Sequence, residues 1–177
     1  MIVSRRLLLS APWLNCLGRA QAQAPSDARV KARLALALAR FTQWPATAFA
    51  GPTEPLVVCV LSRSEVVAEA FAELSNQTAL GRPIKVVQSA ERPYGGCHVV
   101  FVHESAERNA AMTVTATLAA AAVLTISDAE GFAARGGMVE LVNVNDALRL
   151  DINLKSVRAA SLALSSQVLR LARQVRE

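Results

Sequence analysis

Three short apolar runs constrain this chain more than anything else in it. Leu56 to Leu61 (LVVCVL), Cys97 to Val102 (CHVVFV) and Val123 to Ile126 (VLTI) are continuous rather than alternating. Short apolar runs bounded by turn residues read as strands buried on both faces. Such strands belong to a largely parallel sheet with helices on each side. The segments between them carry helical patterns. Ser64 to Leu74 puts Val67, Ala70, Phe71 and Leu74 inward behind a serine cap, and Ser105 to Ala120 is alanine-rich and weakly amphipathic. Upstream, Asp27 reads as an N-cap, and Val30, Leu34, Ala37, Leu38 and Phe41 recur at helical spacing. That helix is expected to stop near Gln43, because the residue before Pro45 avoids the α region. Gly81-Arg82-Pro83 breaks the chain before a short strand, Ile84 to Val87. Met138 to Val144 and Leu148 to Ile152 read as extended stretches joined by a hairpin turn at Asn145-Asp146. A closing helix is expected from Leu154 to Arg173. The expected architecture is α/β: a three-layer α/β/α sandwich with a mostly parallel sheet and an antiparallel edge hairpin.

At 177 residues the chain suits one domain, read here as residues 25–177 behind a signal peptide of residues 1–24. Met1 to Arg6 is short and basic, Leu7 to Gly18 is mostly apolar, and Ala22-Gln23-Ala24 offers a small-x-small cleavage site before Pro25. Ala20-Gln21-Ala22 is an alternative cut. The apolar stretch is shorter than the roughly 20 residues that span a bilayer. Ser4-Arg5-Arg6-Leu7-Leu8-Leu9 is an imperfect twin-arginine pattern. Removing the leader changes the charge argument. The whole chain is +5, but Arg5, Arg6 and Arg19 leave with it, so 16 basic residues face 14 acidic ones, a net +2. That balance offers no nucleic-acid surface.

Cys16 falls in the leader, leaving Cys59 and Cys97 in or beside predicted strands. Two cysteines in an oxidising compartment suit a disulfide, and two buried thiols suit the same positions. No nucleophile elbow, P-loop or dinucleotide fingerprint is present. His98 and His103 flank one strand five residues apart, which points them to opposite faces rather than at one metal. The expectation is a partly buried His98 and an exposed His103. No cofactor and no catalytic residue is expected.

Two places could meet a ligand or partner. Asp128 follows a buried strand, where open α/β sheets bind ligands, and the loop beyond it carries Gly131, Phe132, Gly136 and Gly137. A turn in which Asp128 stabilises its own loop is the plainer reading. Phe41, Trp44 and Phe49 bracket Pro45 and could cap the core or form a partner patch. In the last segment Leu154, Val157, Ser161, Leu164, Val168, Leu171 and Val175 make a heptad-like stripe, widened by Leu162 and Leu169. Such a wide stripe suits packing on a sheet better than a coiled coil.

Taken in order, several segments resemble the YfiR-like family of exported proteins. Val30-Lys31-Ala32 leading to Phe41-Thr42-Gln43-Trp44-Pro45 resembles its opening pattern. Gly81-Arg82-Pro83-Ile84, the CHVVFV strand, Leu124-Thr125-Ile126-Ser127-Asp128 with Gly131-Phe132-Ala133, and Gly136-Gly137-Met138-Val139 are similar to successive family motifs. So are Asp151-Ile152-Asn153-Leu154 and Ser165 to Ala172, so the resemblance covers about residues 29 to 175. It implies a periplasmic, non-enzymatic regulator, often a homodimer. Its implied partner is the periplasmic sensor domain of an inner-membrane diguanylate cyclase or a sensor kinase, held inactive until envelope stress or a redox change releases it. Cyclic-di-GMP and biofilm formation would then rise. The resemblance also implies that Cys59 and Cys97 pair. A second cysteine pair found in some relatives is missing between Met138 and Ile152, and Leu36-Ala37-Leu38 departs from the Tyr and Asn often seen mid-helix.

Overall fold

The computed structural model describes residues 23–88, 94–107 and 109–177. Helix α1 (Gln23–Arg40) leads through β1 (Thr42–Gln43) and a 3-10 turn at Ala46–Ala48 into β2 (Leu56–Leu61) and α2 (Glu65–Ala72). The chain continues as β3 (Thr78–Ala79), β4 (Arg82–Gln88), β5 (Val99–Val102), α3 (Ala110–Leu118), β6 (Leu124–Ser127), β7 (Val139–Val144) and β8 (Ala147–Asn153). It closes with α4 (Leu154–Ala159), β9 (Ala163–Leu164), α5 (Ser166–Leu171) and β10 (Ala172–Arg176). The signal-peptide reading falls almost wholly on residues outside the described ones; Gln23 and Ala24 belong to α1. No described helix is long and apolar enough to cross a membrane.

The apolar runs pair as expected. An eight-stranded sheet has the order β10-β8-β7-β6-β5-β2-β4-β3. Strands β4, β2, β5, β6 and β7 run parallel. Strand β8 turns back antiparallel on β7, joined through Asn145 and Asp146. Both turn residues have positive φ (50° and 60°), the conformation of a two-residue type I′ hairpin. Every residue of β5 is buried, because successive side chains enter different cores. Val99 and Phe101 join the cluster under α1 and α2, where Phe101 packs on Phe71 with ring centroids 4.5 Å apart. Val100 and Val102 join the cluster under α3, with Val114 and Leu118. The result is the expected α/β/α sandwich.

Three local expectations need correction. Helix α1 extends upstream of Asp27, which therefore lies inside it rather than capping it. Its inner face is also rotated: Ala28, Ala32, Ala35 and Ala39 are buried with Leu36 and Leu38, whereas Val30 is 48% and Phe41 45% exposed. Small residues let the helix backbone sit close to its neighbours, and this outweighs the burial of a few larger side chains. Helix α3 starts at Ala110 instead of Ser105 because Ser105 is engaged elsewhere: its N–H donates to His103 Nδ1 at 3.2 Å.

The largest difference lies after Leu154. The expected long helix is broken into α4, β9 and α5, and the chain ends as a strand parallel to β8. Ser161 takes a left-handed φ of 57°, which stops α4. Leu162 and Leu164 are then buried on either side of exposed Ala163, a strand period, and β9 pairs antiparallel with β1. Ser165 caps α5 by accepting the Val168 N–H. Of the heptad-like stripe, Leu154, Val157, Leu164 and Val168 reach the core, while Leu171 is left 71% exposed.

Cys59 of β2 and Cys97, just before neighbouring β5, form a disulfide that spans a sequence separation of 38. Closing a loop of that length restricts the unfolded chain and stabilises the fold by about 2–4 kcal/mol. The Cys59→Ala, Cys97→Ala double variant is therefore expected to lose about that much in urea unfolding. Non-reduced peptide mapping of the wild type should recover the two cysteines on one linked peptide pair.

Candidate functional site

Strand β2 has β4 on one side and β5 on the other, so the chain reverses its direction of sheet growth there. In open α/β sheets, ligands usually bind at the carboxyl ends of strands beside such a reversal. Here that crevice is bridged by its own side chains. The Ser62 and Ser105 hydroxyls lie 3.3 Å apart, and the Arg63 N–H donates to Ser105 Oγ at 3.1 Å. The His103 N–H donates to the Leu61 carbonyl at 2.9 Å. His103 Nδ1 accepts from the Ser105 N–H and contacts Ser105 Oγ at 2.7 Å. Ser, His and a nearby Asp thus meet, but as a closed turn: the imidazole Nδ1 and the serine oxygen already accept backbone protons.

Asp128 holds this arrangement to α1. Its Oδ1 accepts the Glu104 N–H at 2.7 Å, and its Oδ2 binds Lys31 Nζ at 2.6 Å with His103 Nε2 3.4 Å away. The Asp128 side chain is 4% exposed and that of Lys31 18%. Asp128 therefore joins three segments of the chain, the helix and two strand ends, rather than only its own loop. The turn-forming role falls to Ser127, whose Oγ donates to the Val102 carbonyl and accepts the Ala129 N–H. His103 is buried, contrary to expectation, because this clasp covers it. Burial pushes its imidazole below the ordinary histidine range; the Asp128 carboxylate opposes that shift and the Lys31 ammonium reinforces it.

A cavity of about 370 Å³ opens beside the clasp, lined by Asp27, Lys31, Glu104, Asp128, Asn143 and Asp146 among others. Gly131, Phe132, Gly136 and Gly137 are not among its lining residues. Phe132 is 1% exposed. Gly137 packs under that ring, where a Cβ would stand 2.2 Å from the nearest ring carbons. Gly131 and Gly136 take positive φ values of 72° and 98° as the loop turns. Glu140 of β7 holds the loop by accepting the Gly131 and Ala133 N–H groups at 2.8 and 3.0 Å. The glycines thus serve a tight, buried turn.

The aromatic group lies at the opposite, amino edge of the parallel strands. Trp44 is half-buried, with its indole N–H on the Ala39 carbonyl at 3.2 Å, and Pro45 is half-buried beside it. Phe41 is exposed. Phe49 stacks on His98 at 4.4 Å between centroids, and the Arg82 guanidinium lies 4.0 Å over the Phe49 ring. A cavity of about 560 Å³ is lined by Thr42, Trp44, Pro45, Phe49, Leu80 and Arg82 among others. The two places singled out in the sequence are therefore separate. Lys31, Ser105 and Arg82 take part without having been singled out as site residues, although Lys31 and Arg82 lie in the Val30-Lys31-Ala32 and Gly81-Arg82-Pro83 segments and Ser105 at an expected helix start.

These features define a doubly wound α/β domain whose usual ligand crevice is occupied by its own polar side chains. No curated protein sequence matches the chain. A family model does: the chain belongs to the YfiR/HmsC-like family, DUF4154, over residues 28–173. That family is regulatory rather than catalytic, and periplasmic.

Two predictions concern this end of the molecule. Asp128→Ala leaves the part-buried Lys31 without its partner and should destabilise by about 3–5 kcal/mol, whereas Lys31→Met in the same chain should recover part of that loss. A double-variant cycle in urea at pH 7 measures the coupling, and strict additivity would contradict the clasp. Gly137→Ala should cost about 1–3 kcal/mol through overpacking against Phe132. Combining it with Phe132→Leu should cost less than the sum of the two single variants.

Proposed function

We propose that this chain is an exported periplasmic regulator that holds the sensor domain of an inner-membrane diguanylate cyclase inactive by direct contact. The observation that carries the reading is family membership across residues 28–173. The bridged crevice at the sheet reversal supports it, since a domain that acts by contact has no need of a substrate there. Export rests on the basic and apolar character of residues 1–24. Within this reading the partner meets the chain around Phe41, Trp44 and Pro45, where aromatic side chains stand partly free. The regulator acts as a homodimer in the same reading, and a sensor kinase is the alternative partner.

A second reading is a small-ligand module that feeds a membrane sensor. The cavity beside Asp128 favours it, because the polar groups of Lys31, Glu104, Asp128, Asn143 and Asp146 converge on one concave space.

Deleting the gene in its native host should raise cyclic-di-GMP and biofilm mass, and complementation should restore both. Unchanged cyclic-di-GMP in a host that carries the cognate cyclase would overturn the first reading. For the second, calorimetric titration with a periplasmic metabolite panel should find a binder that Asp128→Asn weakens. A panel with no binder would count against it.

A further inference from the structure

His98 makes two backbone hydrogen bonds that only a neutral imidazole can make together. Its Nδ1 lies 3.1 Å from the Val57 backbone nitrogen and accepts that N–H. Its Nε2 lies 3.0 Å from the Ala48 carbonyl and must donate to it. The ring therefore joins β2, through Val57, to the 3-10 turn, through Ala48. Its backbone is fixed as well: the His98 N–H donates to the Val57 carbonyl and its carbonyl accepts the Leu124 N–H. The residue sits in the sheet ladder while its side chain alone reaches the segment from Trp44 to Glu54.

Other contacts also tie that segment to the body of the domain: the Trp44 indole N–H donates to the Ala39 carbonyl of α1 at 3.2 Å, and Trp44 and Phe49 pack against the main core. Phe49 stacks on the His98 ring, and Trp44 meets both rings edge-on at 5.8 and 6.3 Å. Arg82 of β4 donates from one terminal nitrogen to the Gly51 and Glu54 carbonyls at 2.6 and 2.8 Å. A second proton on His98 would have to go on Nδ1, where it would face the Val57 N–H donor to donor. The charged groups that face the ring among the described residues are Glu54, from the segment itself, and Arg82, from β4. Glu54 favours the added proton and Arg82 opposes it. The cation would also lie in the same stack as the Arg82 guanidinium.

We propose that His98 is an acid-sensitive latch: taking up a second proton breaks its bond to Val57 and loosens the segment from Trp44 to Glu54. Burial, the largest influence, lowers the imidazole from its ordinary value near 6.5, with the Ala48 hydrogen bond as the main opposing effect. The sign follows. A group held neutral in the fold contributes stability that is fully present above its unfolded value, near 6.5. That contribution is lost as pH falls from there through the folded value. A periplasm open to the surroundings can cross that window. The latch is a property of the domain itself; its link to signalling rests on the contact-regulator reading above, because the segment carries Trp44 and Pro45.

Hydrogen-exchange mass spectrometry of the full-length exported protein tests the latch at pH 7.5 and 5.0, with rates corrected for intrinsic pH dependence. Protection in peptides covering 45–55 should fall at least tenfold at the lower pH while β2 and β5 stay protected. His98→Gln keeps an acceptor and a donor but cannot titrate, and it should abolish the pH effect. His103→Gln should leave it in place. Should His98→Gln fail to fold, imidazole ¹⁵N shifts of the wild type replace it: His98 must gain its second proton over the same pH range in which protection is lost. Protonation without loss of protection, or an unchanged transition in His98→Gln, would overturn the latch. Neither result bears on cyclic-di-GMP, so a failed latch and a failed regulator reading remain distinguishable.

Discussion

The structure depends on the parallel pairing of β2 with β5 between two cores. Val58, Cys59, Val60 and Leu61 face Val99, Val100, Phe101 and Val102 in register. The strands are short, so their stability comes from burial on both faces rather than from length. At one edge the Cys59–Cys97 disulfide ties the pair covalently, on the face covered by α3. At the other, the Leu61 carbonyl receives the His103 N–H and the sheet passes directly into the serine–histidine bridge. Both described histidines therefore flank β5, one at each edge of the sheet, and each holds a loop to its end.

That placement explains why the molecule offers so little for chemistry where its fold would ordinarily place it. The reversal beside β2 is where such sheets bind phosphates and cofactors through free backbone N–H groups. Here the Arg63 and Ser105 N–H groups are spent on Ser105 Oγ and His103 Nδ1, and the Glu104 N–H on Asp128. The donors that would cradle an anion are already satisfied inside the protein. The polar groups that remain accessible are set to one side, around the cavity that contains Asp128 and Lys31.

Much of the sheet was legible because its strands are buried on both faces, which leaves continuous apolar runs with clear ends. The hairpin was legible for a different reason: Asn145 and Asp146 tolerate the positive φ that its turn needs. The α1 face and the last segment were not. Alanines that allow close approach carry less apolar area than the exposed Val30 and Phe41, so periodicity places Leu38 correctly but turns the rest of the face partly away from the core. After Leu154, leucines and valines recur at intervals of three and four, yet serines at 161 and 165 divide that pattern between a left-handed stop and a cap. Local hydrogen bonding and tertiary burial decide between helix and strand there, and neither is visible in spacing alone.

The candidate site was legible by position and not by partnership. Asp128 stood out because it follows a buried strand, but its contacts come from Lys31, 97 residues away, and from the Glu104 backbone. Phe132 and its glycines stood out as a loop, and the loop turned inward to bury an aromatic ring. His98 looked ordinary because neither of its side-chain partners, Ala48 and Val57, has a polar side chain; the partners are backbone atoms. A residue whose hydrogen bonds go only to backbone leaves no pair of side chains to notice in the sequence. Where both ring nitrogens are engaged in this way, the surrounding main chain fixes the protonation state, and the segment it holds becomes answerable to pH.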